Sequence, residues 1–226
     1  MIEFSPLWLT LKLAFFTTVI LFIVSIPLAN WLSSKRSIFK IIAEVLVSMP
    51  LVLPPSVIGF YMLLAFSPGN AFGKWLEEWF DLRLVFSFEG LLIASVIYSL
   101  PFMVNPLQSG FESLNKNMLE ASYISGKGKF KTLLFIALPN IKPALITAII
   151  ITFSHTVGEF GVVLMIGGSI PGETKVASVA IYEFVEIMDY TNAHIYSAIM
   201  ITLSFLTLLG VYIFNGKQKN MLLGKK

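Results

Sequence analysis

Five long apolar runs restrict what this chain can fold into more than any other feature of its sequence. They span residues 6–32, 38–66, 88–109, 141–165 and 195–214. Each reaches the length of about 20 residues that an α-helix needs to cross the hydrocarbon core of a bilayer. Only 13% of the residues are charged, whereas a soluble domain carries roughly a quarter, so the apolar surplus needs lipid as its solvent. We predict an all-α membrane protein of about five transmembrane helices, in a single domain over residues 1–226.

The lysines and arginines predict the orientation of these helices. Cytoplasmic loops of membrane proteins carry an excess of Lys and Arg. Most of the cations of this chain lie in three segments that alternate with the other loops, namely Lys35, Arg36, Lys40, Lys116, Lys127, Lys129, Lys131, Lys142, Lys217, Lys219, Lys225 and Lys226. The pattern therefore places the N-terminus outside, the C-terminus in the cytoplasm and the loop of residues 110–140 in the cytoplasm.

The loop of residues 110–140 carries apolar residues at helical spacing, which predicts two short amphipathic helices. Asn117 and Glu120 resemble a capping box that starts the first helix. The turn Gly126-Lys127-Gly128 separates the two helices, and Pro139 is expected to end the second. The residues alone leave two interpretations open, because such helices could lie on lipid headgroups or dock into a protein partner.

The second apolar run contains the prolines Pro50, Pro54 and Pro55. Each proline removes a helical hydrogen bond and clashes with the preceding turn, so we predict a break or sharp bend within residues 49–60. Freed backbone carbonyls cannot face lipid, and they must be buried in protein or line a watery path. The bend is either a packing kink or, as we favour, part of a solute pathway with Ser56 and Gly59 nearby.

The fourth run contains two ionisable residues, His155 and Glu159, at a spacing that puts them on one face of a continuous helix. A metal site at these two residues is disfavoured, because no third ligand occurs at a suitable spacing. A role of the two residues in a proton relay is left as an alternative, because ionisable residues within spans are functional candidates. At 1.5 Å per residue Glu159 would lie about 27 Å from Ile141, at the outer interface, where water lowers the cost of its charge. Because a carboxylate repels anions, we assign Glu159 to pairing or docking and not to the binding of a substrate.

The cytoplasmic loop resembles a known family. Its residues Glu120-Ala121-Ser122, Gly126 and Ile136-Ala137-Leu138-Pro139 resemble the "EAA…G…I-x-LP" signature of importer-type ABC permeases, with serine at 122 where alanine is usual. The resemblance implies a type I ABC importer permease fold and a loop that couples to a cytoplasmic ABC ATPase. The coupling residues would be Glu120, Ala121, Ser122, Gly126, Leu138 and Pro139. Since one such loop serves one ATPase subunit, we expect a homodimer of this chain on an ATPase dimer.

Further segments resemble the molybdate-specific branch of these permeases. They are "LPPSVIGFYML", "FGKWLEEWF", "GEFG" at 158–161 and "IPGET" at 170–174. This resemblance implies a multi-pass permease in the plasma (inner) membrane of a prokaryote, supplied by an extracytoplasmic molybdate-binding protein. It also implies a pathway and gate formed by Pro54, Pro55, Ser56, Gly59, Gly158, Glu159, Phe160 and Gly161. The sulfate and tungstate branches share the loop signature, so the oxyanion is left open between the three.

Two other classes of function were weighed against the permease. An ion-coupled secondary transporter or channel is disfavoured because the sequence has neither internal repeats nor buried charge pairs. A membrane-embedded enzyme is disfavoured because no nucleophile–base pair and no ligand cluster is present, and cysteine is absent. No G-x-x-x-x-G-K-[ST] motif occurs, so ATP hydrolysis must belong to a separate subunit. We therefore expect no enzyme activity, no cofactor, no metal site and no nucleic-acid partner.

Overall fold

Three helices of the computed structural model are long and apolar enough to cross a membrane. They are α1 (Ser5–Leu32), α5 (Phe88–Glu112) and α12 (Tyr190–Leu222), whose apolar part is Tyr190–Gly210. The structure describes residues 3–34 and 37–222. The cations Lys35, Arg36, Lys225 and Lys226, which contribute to the predicted orientation, lie outside the described residues.

The second apolar run is broken, as its prolines predict. It consists of α2 (Ile38–Ser48), a 3₁₀ turn (Met49–Leu51) and α3 (Pro55–Phe66), and the two halves meet at an angle of 108°. Pro54 has a ψ of 136°, outside the helical region, because the ring of the following proline disfavours the α conformation at the residue before it. Pro55 then starts α3, a position at which its missing N–H costs nothing.

Two breaks flank α9 (Lys142–Val157). The first lies at the start of the fourth apolar run, close to the helix end predicted at Pro139, whereas the second lies inside the run and was not predicted. A helical segment made of α7 (Lys129–Thr132), a π-helical turn (Leu133–Ala137) and α8 (Leu138–Asn140) meets α9 at 80°. After α9 the chain unwinds over residues 158–160 and resumes as α10 (Gly161–Gly167). With these two bent pairs the number of candidate spans rises to five. The prediction of an all-α membrane protein with about five spans is confirmed.

The interruption corrects the expected placement of Glu159. The spacing of His155 and Glu159 predicts that both lie on one face of a continuous helix, but α9 ends at Val157. Gly158 closes that helix, since its N–H donates to the carbonyl oxygens of Ser154 and His155. Glu159 therefore lies in unwound backbone between two helices, where its direction is set by the tertiary structure and not by helical periodicity.

Helices α1, α5 and α9 pack against one another at the centre of the bundle. Buried apolar side chains fill this centre, among them Leu21, Met103, Leu107 and Ala148. The helices approach closely where their residues are small. A Cβ atom on Gly110 of α5, for example, would lie 2.7 Å from the Cβ of Ala144 on α9. Around this centre, α10 packs on α3 and α5, and α12 packs on α9.

Short helices lie at both ends of the bundle. One end carries α4 (Ala71–Phe80) and α11 (Ala177–Glu186), and the other carries α6 (Lys116–Ile124) together with α7 and α8. Helix α11 is fixed to α1 because the Ala177 N–H donates a 2.8 Å hydrogen bond to Thr10 Oγ1. These end helices position the two regions described next.

Candidate functional site

The unwound segment after α9 faces the proline bend that begins α3, and the two enclose a cavity of about 550 Å³. We call this cavity the polar chamber. Its lining residues are Pro55, Ser56, Tyr98, Ser154, His155, Gly158, Glu159, Phe160 and Gly161. Two breaks that are about 100 residues apart in sequence thus form a single site. Six of the eight predicted pathway residues line the chamber, whereas Pro54 and Gly59 do not.

Glycine allows α3 and α10 to approach closely beside the chamber. A Cβ atom on Gly161 would lie 2.9 Å from the Cβ of Pro55. One on Gly59 would lie 2.7 Å from the Cβ of Met165. Cβ atoms in proteins keep larger separations, so a side chain at either position would push the helices apart. The predicted residue Gly59 therefore supports the α3–α10 contact and does not line the chamber.

Three chamber residues, Tyr98, Ser154 and His155, were not among the predicted pathway residues. Tyr98 comes from α5, and the sequence offers no local pattern that links α5 to the unwound segment. The His155 ring is held between its neighbours. Its Nδ1 lies 3.0 Å from Ser99 Oγ, and its ring centroid lies 3.7 Å from that of Phe102. His155 is thus a fixed wall of the chamber.

Glu159 is almost wholly buried, with 4% of its surface exposed. Among residues 3–34 and 37–222, neither carboxyl oxygen has a hydrogen-bond partner, and the ion pairs found there do not include Glu159. The backbone carbonyl of Glu159 accepts a 2.6 Å hydrogen bond from Ser178 Oγ on α11. The expected exposure of Glu159 to water and its expected pairing are therefore wrong for the described part of the chain, whereas its role in docking stays a prediction. Water does not reach its side chain, and it has no ionic partner.

The loop of residues 110–140 contains α6, whose start differs from the predicted one. The N-cap is Asn115, whose Oδ1 accepts a 2.9 Å hydrogen bond from the Asn117 N–H. The expected capping box at Asn117 is therefore wrong by two residues. An asparagine performs the same function at 115, because its side chain satisfies an N–H group that the helix leaves free.

The end of α6 explains the glycine at 126. The Gly126 N–H donates to the Tyr123 carbonyl, and the Lys127 N–H donates to the Ser122 carbonyl. This pair of bonds is a Schellman motif, which needs a left-handed residue after the helix. Gly126 has a φ of +77°. No atom lies within 4 Å of the position of a Cβ on Gly126, so the requirement for glycine is conformational and not steric.

Ser122 joins the two helical segments of the loop of residues 110–140. Its Oγ lies 2.9 Å from Thr132 Oγ1 on α7, and both side chains are buried. Glu120 and Ala121 point away from this contact and are exposed. The apolar side chain of Ile124, at the end of α6, is 88% exposed.

The second helical segment of the loop does not end at Pro139. It continues to Asn140, and the chain turns into α9 at Ile141, whose φ is −101°. The Asn140 side chain donates a 2.7 Å hydrogen bond to the Ile136 carbonyl. Leu138 is half-buried, whereas Pro139 is exposed. Both therefore lie just before the 80° bend that leads into α9.

Residues 22–220 match the family described as "Binding-protein-dependent transport system inner membrane component". The chain belongs to this family. Membership confirms the resemblance drawn from the loop signature. As a binding-protein-dependent inner membrane component, the chain is a multi-pass translocation subunit of the inner membrane and not a catalytic enzyme.

Several individual proteins resemble this inner membrane component. The molybdenum transport system permease protein ModB of Azotobacter vinelandii is 44% identical over 211 residues, which cover 93% of each chain. The sulfate transport system permease protein CysT of Escherichia coli (strain K12) is 28% identical over 89% of this chain and 73% of its own. A structure of the MetNI methionine ABC transporter in inward-facing conformations superposes with a TM-score of 0.72 at 15% identity, and the match covers 94% of each chain. The fold is that of a type I ABC importer permease.

Proposed function

We propose that this chain is the permease subunit of an ATP-driven molybdate importer and that two copies form the translocation pathway. The observation that carries the proposal is the 44% identity to a molybdenum transport permease across 93% of both chains. The sulfate transport permeases among its relatives are less similar, at 28–32% identity. The N-terminus lies outside and the C-terminus in the cytoplasm in this proposal, as the distribution of Lys and Arg predicts.

The polar chamber serves as part of the gated pathway. Its walls are two interrupted spans, and irregular backbone at membrane depth is tolerated where it is buried or lines a water-filled cavity. Neutral hydrogen-bonding groups on Ser56, Tyr98 and Ser154 offer weak contacts to a passing oxyanion. Tight binding of a dianion would need arginine or converging helix N-termini. Selectivity is therefore assigned to a separate extracytoplasmic molybdate-binding protein.

Helix α6 serves as the contact with a cytoplasmic ATPase dimer. The exposure of Ile124, together with that of Glu120 and Ala121, supports this assignment. Larger groups of exposed apolar side chains mark protein or membrane contact sites, and Tyr123 and Phe130 of the same loop are exposed as well. The Ser122–Thr132 hydrogen bond and the Schellman turn hold α6 against α7. Movement of α6 would then pass through α7 and α8 to α9, whose far end borders the chamber.

Uptake of radiolabelled molybdate tests the proposal. Cells that lack the chain are compared with cells to which it has been returned, with excess sulfate or tungstate as competitor. We expect uptake that depends on the chain and resists sulfate. Uptake that does not depend on the chain would refute the molybdate assignment and leave the importer fold intact.

The second candidate is a sulfate permease, which the sulfate relative supports. The same experiment separates the two candidates. Chain-dependent uptake that sulfate abolishes would favour this candidate. Purification of the tagged chain with its ATPase then tests the class of transporter, because a secondary transporter or channel would be isolated without one.

A further inference from the structure

Glu159 presents an electrostatic problem that its neighbours in the described part of the chain do not solve. Both of its carboxyl oxygens are inaccessible at the surface of the subunit and lack hydrogen-bond partners. The hydroxyl of Ser95 on α5 lies close enough to interact with the carboxyl group, but it does not reach hydrogen-bond geometry. A buried ionised carboxylate without a partner is strongly disfavoured.

A compensating cation would have to come from this chain, from a second copy or from solution. Within residues 3–34 and 37–222, no lysine, arginine or histidine nitrogen lies within ion-pair distance of Glu159. Lys175, which precedes α11, is paired with Glu183. A second copy cannot touch oxygens that are inaccessible on the first. The dipoles of the two flanking helices do not stabilise a charge on Glu159 either. The negative end of α9 lies on one side of the residue and the positive end of α10 on the other, so that their effects oppose each other.

We propose that Glu159 holds a proton in this conformation and that the neutral carboxyl group allows an oxyanion to pass the polar chamber. A proton is the one compensating cation that needs no additional space or ligands. The inference rests on the proposed oxyanion transport, since an ionised Glu159 beneath the chamber wall would repel a dianion through a medium of low dielectric constant. Loss of the proton at alkaline pH should therefore slow transport.

The other titratable groups facing the same site are few. Tyr98 on α5 and His155 on α9 line the chamber with Glu159. Ser56 of α3 lines the chamber and Ser178 of α11 donates to the Glu159 carbonyl, and neither serine titrates in this range. Tyr182 of α11 packs against the neighbouring Phe160 ring. A pH effect that belongs to Glu159 must therefore persist when His155 is replaced and must disappear when Glu159 is replaced.

The test uses the complete transporter in proteoliposomes with its ATPase and binding protein. Initial rates of molybdate uptake are measured from about pH 6.5 to about pH 9 for the wild type and for Glu159→Gln, which keeps a neutral group of the same shape. We expect the wild-type rate to fall roughly tenfold on the alkaline side and the variant to keep a flat profile. Glu78→Gln, on exposed α4, is the matched control, and His155→Gln removes the other titratable side chain of the unwound region. In both variants the uptake rate at alkaline pH, relative to the same variant's own rate at neutral pH, should fall by the wild-type factor.

Infrared spectroscopy of the purified complex provides a readout that does not depend on transport. The carbonyl stretch of a protonated carboxyl group should be present in the wild type at neutral pH and absent in Glu159→Gln. Absence of this band from the wild type would overturn the inference, as would parallel pH profiles of the wild type and Glu159→Gln. Uptake by the wild type that requires sodium at constant pH would also overturn it, because the compensating cation would then be a metal ion. A wild type that transports no molybdate at any pH would instead refute the proposed function, while the infrared result would still decide the charge of Glu159.

Discussion

Replacement of Gly126 by alanine should loosen the turn after α6 in a way that can be measured residue by residue. Gly126 has a φ of +77°, and an L-residue in the left-handed region is strained by about 1–2 kcal/mol. Because no atom lies within 4 Å of the added Cβ, no steric term adds to this strain. The Schellman turn should therefore open roughly 5 to 30 times more often.

Hydrogen exchange of the Lys127 amide is the direct assay, since this N–H donates to the Ser122 carbonyl across the turn. Its exchange should accelerate by the same factor of roughly 5 to 30 in Gly126→Ala. Molybdate uptake should fall as well, while the protein stays inserted in the membrane. Gly126→Asn should show a smaller effect, because asparagine tolerates the left-handed region better than alanine.

Gly128→Ala is the matched control for this prediction. Gly128 lies two residues away and also has open space at its Cβ position, but its φ is −67°, which alanine adopts without strain. In Gly128→Ala, hydrogen exchange of the Lys127 amide and molybdate uptake should both stay near the wild-type values. Equal effects of the two substitutions, or no acceleration in Gly126→Ala, would refute the argument from backbone conformation.

Three further substitutions test other contacts. Ser122→Ala should destabilise the α6–α7 contact by about 1–3 kcal/mol, because it leaves buried Thr132 Oγ1 without its partner. In the double variant with Thr132→Val, the backbone amides of α6 should exchange hydrogen more slowly than the summed effects of the two single substitutions predict. Gly161→Ala should reduce molybdate uptake, because its Cβ would lie 2.9 Å from that of Pro55. Gly158→Ala is the control and should be tolerated, because the nearest atoms to its Cβ would be 3.7 Å away. Equal losses of uptake in the two variants would argue against a packing effect. Ile124→Asp should lose the ATPase during purification, whereas the control Ile124→Val should retain it. Full retention of the ATPase by Ile124→Asp would contradict the proposed contact between α6 and the ATPase.

The membrane class, the number of spans and the family could all be predicted from the sequence because each has a local signal. Spans are recognised from runs of apolar residues, since lipid requires each span to satisfy its own backbone hydrogen bonds. The bend at residues 49–60 followed from proline, whose ring acts on its immediate neighbours. The turn at Gly126 was recognised from its glycines, although the reason for glycine, a left-handed conformation, became visible only in the backbone angles.

The interruption after Val157 and the burial of Glu159 were decided by tertiary structure. The sequence between Ile141 and Met165 is apolar enough to continue as a helix, and no proline marks the break. The chain unwinds where α10 packs against α3, and glycines at 59 and 161 allow that contact. Tyr98 and Ser95 come to the same place from α5, which is distant in sequence. Periodicity describes the faces of one helix, but it cannot show which faces of different helices meet, and this meeting is what forms the polar chamber and buries its carboxyl group.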